Sequence, residues 1–363
     1  MDTPATPPPA QPQPAYVVAP PQQGPIRVVV EQSSGRFGRF GRRLLWIVLG
    51  ISILANVGMY GRYRSYFQSD GEVDEKYHSL DKTATDKVAI LAVEGTIITG
   101  EGYFKKQLDR IREDKNVKAV VLRVDSPGGT IAGSDYIYHH LKQLVSEKKI
   151  PLVVSMGAMA ASGGYYISMA AEGEKRIYAE PTTWTGSIGV IIPHYDVSKL
   201  LERWDISDDS IASHPLKQMG SPTAKLPPPI KEEERRILKE LVDESFEKFK
   251  QLVLSARPAL KSDKEAQDIV FTGRILTADQ AKRNHLVDEL GYLEDAISRA
   301  VDLAGLKKDQ VRVIKYNRPL GVIDKLILGA KTPARQVELA SLLDLASPRA
   351  YFLCTWIPAL NLN

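Results

Sequence analysis

The sequence predicts an α/β domain of repeated strand-helix units, preceded by one transmembrane helix. Three observations lead there. Between Val88 and Val154 short apolar runs of strand length alternate with segments of helical period, an order that favours parallel strands with helices packed on the sheet. Two glycine pairs, Gly128-Gly129 and Gly163-Gly164, fall where a strand hands over to a helix, the place at which sites form in such sheets. Upstream, Leu44 to Tyr60 contains no charged residue, and its length of about 17 residues is at the short end of what spans a bilayer core.

Composition bounds the rest. A chain of 363 residues, 43% hydrophobic and 25% charged, can build a sizeable core in one large domain with appendages. Its net charge of +4 comes from basic and acidic residues that are interleaved, which argues against nucleic acid as a partner. The single cysteine, Cys354, excludes an internal disulfide framework and a cysteine-based zinc site, and leaves the redox compartment open.

Residues 1–43 read as a disordered Pro/Gln-rich leader with a basic end. Met1 to Pro25 has few large apolar residues, so burial cannot offset the entropy of ordering it; a proline-rich docking segment is an equal alternative. Arg36, Arg39, Arg42 and Arg43 precede the span 44–60, and Trp46 and Tyr60 sit near its ends, where interfacial aromatics belong. The excess of arginine before the span places the amino terminus in the cytoplasm and the rest of the chain outside. A cleaved signal peptide is disfavoured by the long leader. Residues 61–86, polar and charged from Asp70 onward, read as a juxtamembrane spacer.

The globular part, 87–316, opens with a strand at Val88 to Val93, then a helix at Tyr103 to Ile111 and a buried strand at Val117 to Val124. That strand runs into Asp125-Ser126-Pro127-Gly128-Gly129, followed by a helix from Ile131 to Val145 and a strand at Pro151 to Val154. After Pro227-Pro228-Pro229 a long amphipathic helix runs from Ile230 to about Ala256. A short strand and helix follow between Ile269 and Leu286, then a turn at Asp288 to Gly291, a helix over Tyr292 to Ala304 and a final strand at Val311 to Val313. The tail, 317–363, ends in an apolar stretch that should not float free in water. Packing on the protein or a partner is one reading, and occupation of the substrate groove of its own or a neighbouring subunit is the other.

The central stretch is Ser155 to Ala171, with Ser162 at the junction of strand and helix. A serine there, followed by two glycines, has its hydroxyl near the positive end of the helix and close to unobstructed amides. That suits a nucleophile whose product oxyanion needs hydrogen-bond donors. A helix-capping serine is the commoner use of the same position. Gly129, one crossover away, is expected to point its amide into the same cleft, although a tight turn after Pro127 also accounts for the pair.

At this point the sequence resembles the signal peptide peptidase A (SppA) family, peptidase family S49, of the short single-domain type. The resemblance rests on DSPGG at 125–129, MAASGGYYIS at 159–168, TGSIGV at 185–190, KQMGSP at 217–222, FTGR at 271–274 and VDELG at 287–291. It implies a Clp protease/crotonase-like fold and a membrane-anchored serine endopeptidase with a Ser-Lys dyad. Ser162 would be the nucleophile and Lys217 its base, with Ser187 holding the lysine amine and the amides of Gly129 and Gly163 forming the oxyanion hole. Cleaved signal peptides and other apolar peptides at the outer face of the cytoplasmic membrane would be its substrates. The resemblance further implies a homo-oligomeric ring, in which serine and lysine come from one subunit or from two, and no metal or cofactor. A lysine accepts a proton only when neutral, so its amine, with a reference pKa of about 10.4, must be shielded among apolar neighbours such as Leu216 and Met219; a solvated loop lysine is the alternative.

A Ser-His-Asp triad is the competing mechanism, but Tyr178 to Gly189 contains no histidine, and His139 and His140 lie on a helix where at most one faces a cleft. The segment EGEKRIYAE at 172–180 is longer than the resemblance leads one to expect, and reads as a surface turn. A catalytically silent scaffold and a crotonase-type acyl-CoA enzyme are the alternative functions; the presence of both Ser162 and Lys217 counts against the first, and the outward location against the second.

Overall fold

The computed structural model describes residues 36–67, 73–317 and 351–353. The disordered leader expected over 1–43 lies largely outside the described residues. The chain divides into two units, one up to Ser69 and one from Asp70 onward.

In the first unit, helix α1 (Arg36–Phe67) includes Gly41–Tyr60, a window long and apolar enough to cross a membrane. Leu45, Trp46, Leu54 and Met59 there are exposed. At 1.5 Å per residue, about 20 residues cover roughly the 30 Å of a hydrocarbon core.

The second unit is built on one mixed sheet. Its strands are β1 (Asp74–Leu80), β2 (Asp86–Glu94), β3 (Val117–Ser126), β5 (Leu152–Ala161), β6 (Ile177–Ala179), β7 (Trp184–Gly186), β8 (Ile275–Thr277), β9 (Glu289–Leu290) and β10 (Val311–Asn317). Their order is β1-β10-β2-β3-β5-β6-β9, with β7 continuing beside β5 and β8 beside β7. From β10 to β9 the main path is parallel, while β1 runs antiparallel to β10 and β8 to β7. A separate pair joins β4 (Gly128–Thr130) to β11 (Tyr351–Leu353).

Alternation along the central strands fills both faces, as a doubly covered sheet requires. Ala89, Leu91, Leu122, Val124, Val154 and Met156 face one core. It is closed by helices α2 (Tyr103–Glu113), α3 (Ile131–Lys148), α4 (Gly163–Ser168) and α6 (Pro228–Ala256), which contribute Leu108, Leu141, Tyr165 and Phe249. Val88, Ile90, Ala119, Val121 and Val153 face the other, covered by Ala296, Ile297, Ala300 and Val301 of α10 (Leu293–Leu303). The smaller helices are α5 (Ser198–Glu202), α7 (Pro258–Ser262), α8 (Lys264–Val270) and α9 (Ala278–Arg283).

Two differences from the sequence reading bear on the site. Strand β5 continues through Ala161 rather than stopping at Val154, because Met159, Ala160 and Ala161 pair with Trp184, Thr185 and Gly186. The stretch read as a spacer contains β1, an edge strand whose Glu75 carboxylate meets the Lys87 ammonium at 2.7 Å. Its charged residues mask a strand, since an edge leaves much of such a segment in water.

Candidate active site

The site grows from the ends of β3 and β5. Ser126, the last residue of β3, donates its hydroxyl to the Gly95 carbonyl at 2.6 Å and accepts the Gly128 amide at 3.1 Å. These two bonds fix the turn that starts β4. A Cβ at Gly129 would collide with the Ile97 carbonyl, so only glycine lets the strands approach so closely. Thr130 then caps α3, accepting the Gly133 amide at 3.0 Å.

Strand β5 delivers Ser162 directly to the start of α4. Ser162 has φ 53° and ψ −113°, and its side chain makes no capping hydrogen bond. The capping role left open by the sequence is therefore not the one it takes. A non-glycine residue held at positive φ carries a cost on the order of 1–3 kcal/mol, sustained by its surroundings. Here the Ser162 amide donates to the Gly186 carbonyl and its own carbonyl accepts the Tyr166 amide, both at 2.8 Å. The hydroxyl oxygen is buried, the residue being 1% exposed, and has no hydrogen-bond partner among the described residues. An unsatisfied buried hydroxyl is costly in a purely structural serine.

Gly163 lies beside the glycine strand. A Cβ built on it would sit 3.1 Å from the Gly129 nitrogen and 3.1 Å from the Gly128 Cα, and would collide with the Ser134 hydroxyl. The two glycines expected to act as oxyanion donors are thus close neighbours. Ser187 is buried, has φ 50°, and donates its amide to the Arg274 carbonyl at 2.7 Å. It directly follows Gly186, the residue that anchors the Ser162 amide.

Lys217 is not hydrogen-bonded to this cluster's serine. It lies on a 3-10 turn, Pro215–Gln218, capped by the His214 side chain, and it is exposed. The surrounding segment also exposes Tyr195 (74%), Trp204 (69%) and Ile211.

Several supporting residues escaped the sequence reading. Ser126, Ser134 and Gly186 position the turns, and Tyr166 donates its hydroxyl to Asp135 at 2.8 Å. Burial, reinforced by that bond and the Asp135 charge, pushes the Tyr166 phenol above its ordinary range. Ser126 sits inside the DSPGG motif and Gly186 inside TGSIGV, so a signal existed for both; for Ser134 it did not. In the segment 172–176 Glu172, Gly173, Glu174 and Lys175 are exposed as expected, but Arg176 is half-buried, with a fully buried Nε. Among the described residues no three His, Cys, Asp or Glu side chains converge on a metal-binding geometry.

Comparison with known proteins gives a consistent answer. The model of peptidase family S49 matches residues 145–307, and the Clp protease model matches residues 89–185. A candidate protease of Synechocystis sp. is 39% identical over 250 residues, 68% of this chain and 86% of the relative. A candidate signal peptide peptidase SppA of Enterococcus faecium is 38% identical over 269 residues, covering 69% and 72% of the two chains. Among solved structures, the membrane-bound stomatin-specific protease 1510-N in complex with a substrate peptide is 21% identical with a TM-score of 0.40, covering 67% of this chain and 97% of that one. With a buried serine at a strained strand-helix junction and relatives matched over most of their length, the chain belongs to peptidase family S49 and is a serine protease with a Clp protease-like fold.

Proposed function

We propose that the protein is an SppA-like endopeptidase in which Ser162 attacks the peptide carbonyl and Lys217 takes up the hydroxyl proton. The observation that carries this reading is the Ser162 hydroxyl, buried and unpartnered beside Gly129 and Gly163 at a backbone conformation serine rarely adopts. The amides of those glycines hold the oxyanion, which is usually the largest single contribution to acyl-transfer catalysis. Ser187 positions the lysine amine. The lysine gives the hydroxyl proton to the leaving amine as the C–N bond breaks and the acyl-enzyme forms; water then attacks the ester, its proton passing through the lysine to the serine oxygen as the acid product leaves.

Lys217 reaches Ser162 of a neighbouring subunit in a homo-oligomeric ring. The exposure of Lys217 supports this reading, and so do the exposed aromatic and aliphatic side chains of the segment that carries it, surface that a monomer has reason to cover. The apolar window Gly41–Tyr60 anchors the chain in the cytoplasmic membrane, and the arginines before it keep the amino terminus inside. Apolar peptides, cleaved signal peptides among them, are the substrate class that an enzyme tethered at the bilayer meets. Ser162→Ala and Lys217→Ala should each reduce hydrolysis of an apolar fluorogenic peptide by at least about 10³-fold. Full activity in Lys217→Ala would overturn the dyad.

A further inference from the structure

Strands β3 and β5 fall out of step just before the site. Val124 pairs with Met156, but the next pairing, Ser126 with Ala160, leaves the single residue Asp125 opposite Gly157, Ala158 and Met159. Strand β5 thus bulges where it changes neighbours, pairing with β6 up to Met156 and with β7 from Met159. A bulge leaves ladder groups unpaired, and other donors and acceptors have to hold them. The Asp125 carboxylate accepts the Met159 amide at 3.0 Å, and the Thr183 hydroxyl donates to the Gly157 carbonyl at 2.6 Å. The backbone of Asp125 is itself fixed, since its carbonyl accepts the Gly95 amide at 2.9 Å. Space is tight here. A Cβ on Gly157 would lie 3.0 Å from an Arg123 guanidinium nitrogen and 3.2 Å from Oδ2 of Asp125. Arg123 donates instead to Glu180 at 2.6 Å and to Ser155 at 2.9 Å, which leaves the Asp125 carboxylate to the bulge.

We propose that Asp125 is a positioning residue for the nucleophile, its carboxylate holding the bulge that sets how far beyond Ser126 and the glycine turn Ser162 stands. The proposal rests on the reading of Ser162 as the nucleophile. In a regular ladder Ala158 would face Ser126 and Ser162 would lie four residues past that pair, whereas the bulge puts Ala160 there and makes it two. At about 3.3 Å per residue the difference is roughly 7 Å. The same offset brings Ala161 opposite Gly186, whose carbonyl accepts the Ser162 amide at 2.8 Å. Bulges beside active sites re-aim a side chain in this way. Losing one bond of the bulge relaxes it rather than erasing it, but a displacement of about 1 Å at a reacting group is enough to cost about 10²-fold in rate. Asp125 acts through Met159, so its loss should fall on kcat and spare KM. Asparagine offers the Met159 amide the same kind of acceptor, and alanine offers none.

The test uses the full-length protein in detergent micelles and the variants Asp125→Ala and Asp125→Asn, with activity referred to folded protein by near-UV circular dichroism. Two quantities are read, kcat and KM for an apolar fluorogenic peptide, and hydrogen exchange of the backbone over residues 159–162. Asp125→Ala should lower kcat by about 10- to 10²-fold with KM within about twofold of the parent, and should speed exchange. Asp125→Asn should keep kcat within about threefold of the parent and exchange slow. A parental kcat in Asp125→Ala overturns the proposal. So does a loss in Asp125→Asn equal to that in Asp125→Ala, or a loss confined to KM. Should Asp125→Ala not fold, the other end of the bulge decides: Thr183→Val, which removes the hydroxyl that holds the Gly157 carbonyl, should lower kcat at constant KM, and Thr183→Ser should restore it. A parental kcat in Thr183→Val then overturns the proposal. Should the parent protein hydrolyse no peptide, the reading of Ser162 as nucleophile fails on its own, and exchange alone decides; equal rates over 159–162 in the parent and Asp125→Ala would show that Asp125 does not position this junction.

Discussion

Ser162 is set apart by where the backbone puts it rather than by its neighbours in sequence. The Gly186 carbonyl and the Tyr166 amide hold it at positive φ, so its hydroxyl cannot fold back to cap α4 and remains available. Gly163 has a more exacting role, because a methyl group there would meet the Ser134 hydroxyl while lying 3.1 Å from the Gly129 nitrogen. If the Gly163 amide holds the oxyanion as proposed, Gly163→Ala should displace it and lower kcat by about 10²- to 10³-fold, the effect of losing one such donor, with a smaller change in KM. Ser134→Ala removes the nearest obstructing atom. The double variant Ser134→Ala/Gly163→Ala should recover part of the lost kcat, a coupling that steady-state kinetics on the four proteins of the cycle measures. Strictly independent effects would show that the glycine matters for another reason. The residue types of this cluster were legible in DSPGG and ASGG. The positive φ of Ser162 was not, because helix-capping is the commoner use of serine at a helix start and only tertiary bonds override it.

At the scale of elements, apolar period identified the central strands because both faces of β2, β3 and β5 are buried. It failed where pairing partners rather than apolarity define the strand. The second half of β5 is built from small residues, and β1 from charged ones. Strand β1 is tied down electrostatically. Lys87, 6% exposed, lies between Glu75 of β1 and Asp114 at the end of α2, with both N···O distances at 2.7 Å. Burial pushes the Asp114 carboxyl up, but the hydrogen bonds from the Lys87 ammonium and the Asn116 amide outweigh it, leaving the group below the ordinary aspartate range. A depressed folded-state value means that Asp114 contributes stability above the unfolded value near pH 4, and that this contribution is lost as pH falls through the lower folded one. Asp114→Asn should cost about 1–3 kcal/mol at neutral pH, since the buried ammonium keeps only Glu75. It should also flatten the acid side of the stability profile. Denaturant unfolding between pH 3 and 7 reads both; equal pH slopes in the two proteins would remove Asp114 from this role.

On the scale of the whole molecule, the fold brings Gly128-Gly129 and Gly163, the residue after Ser162, together within one chain and leaves Lys217 on an exposed turn. The resemblance named the lysine from the KQMGSP motif, and the position of that turn relative to Ser162 depends on contacts between elements far apart in sequence, which spacing cannot encode. Since no hydrogen bond joins the two side chains, two arrangements would form the proposed dyad, a rearrangement of the segment around Lys217 within one subunit or delivery of the lysine by the next subunit of a ring. They differ in a single measurable consequence. Ser162→Ala retains an intact lysine turn and Lys217→Ala an intact nucleophile, so each inactive protein carries what the other lacks. If the dyad forms between subunits, co-expressed or co-refolded mixtures of the two variants should regain activity. In a ring of randomly mixed subunits about a quarter of the interfaces would pair an intact serine with an intact lysine, so activity should approach that fraction of the parent. Mixtures that stay as inactive as either variant, while crosslinking shows that they co-assemble, would place both members of the dyad in one subunit. The exposed Trp204 supplies an independent check on the same contact. Trp204→Glu introduces a charge into surface that the interface would desolvate, and should lower both the assembled fraction in sedimentation and the specific activity, whereas a side chain left in water would change neither.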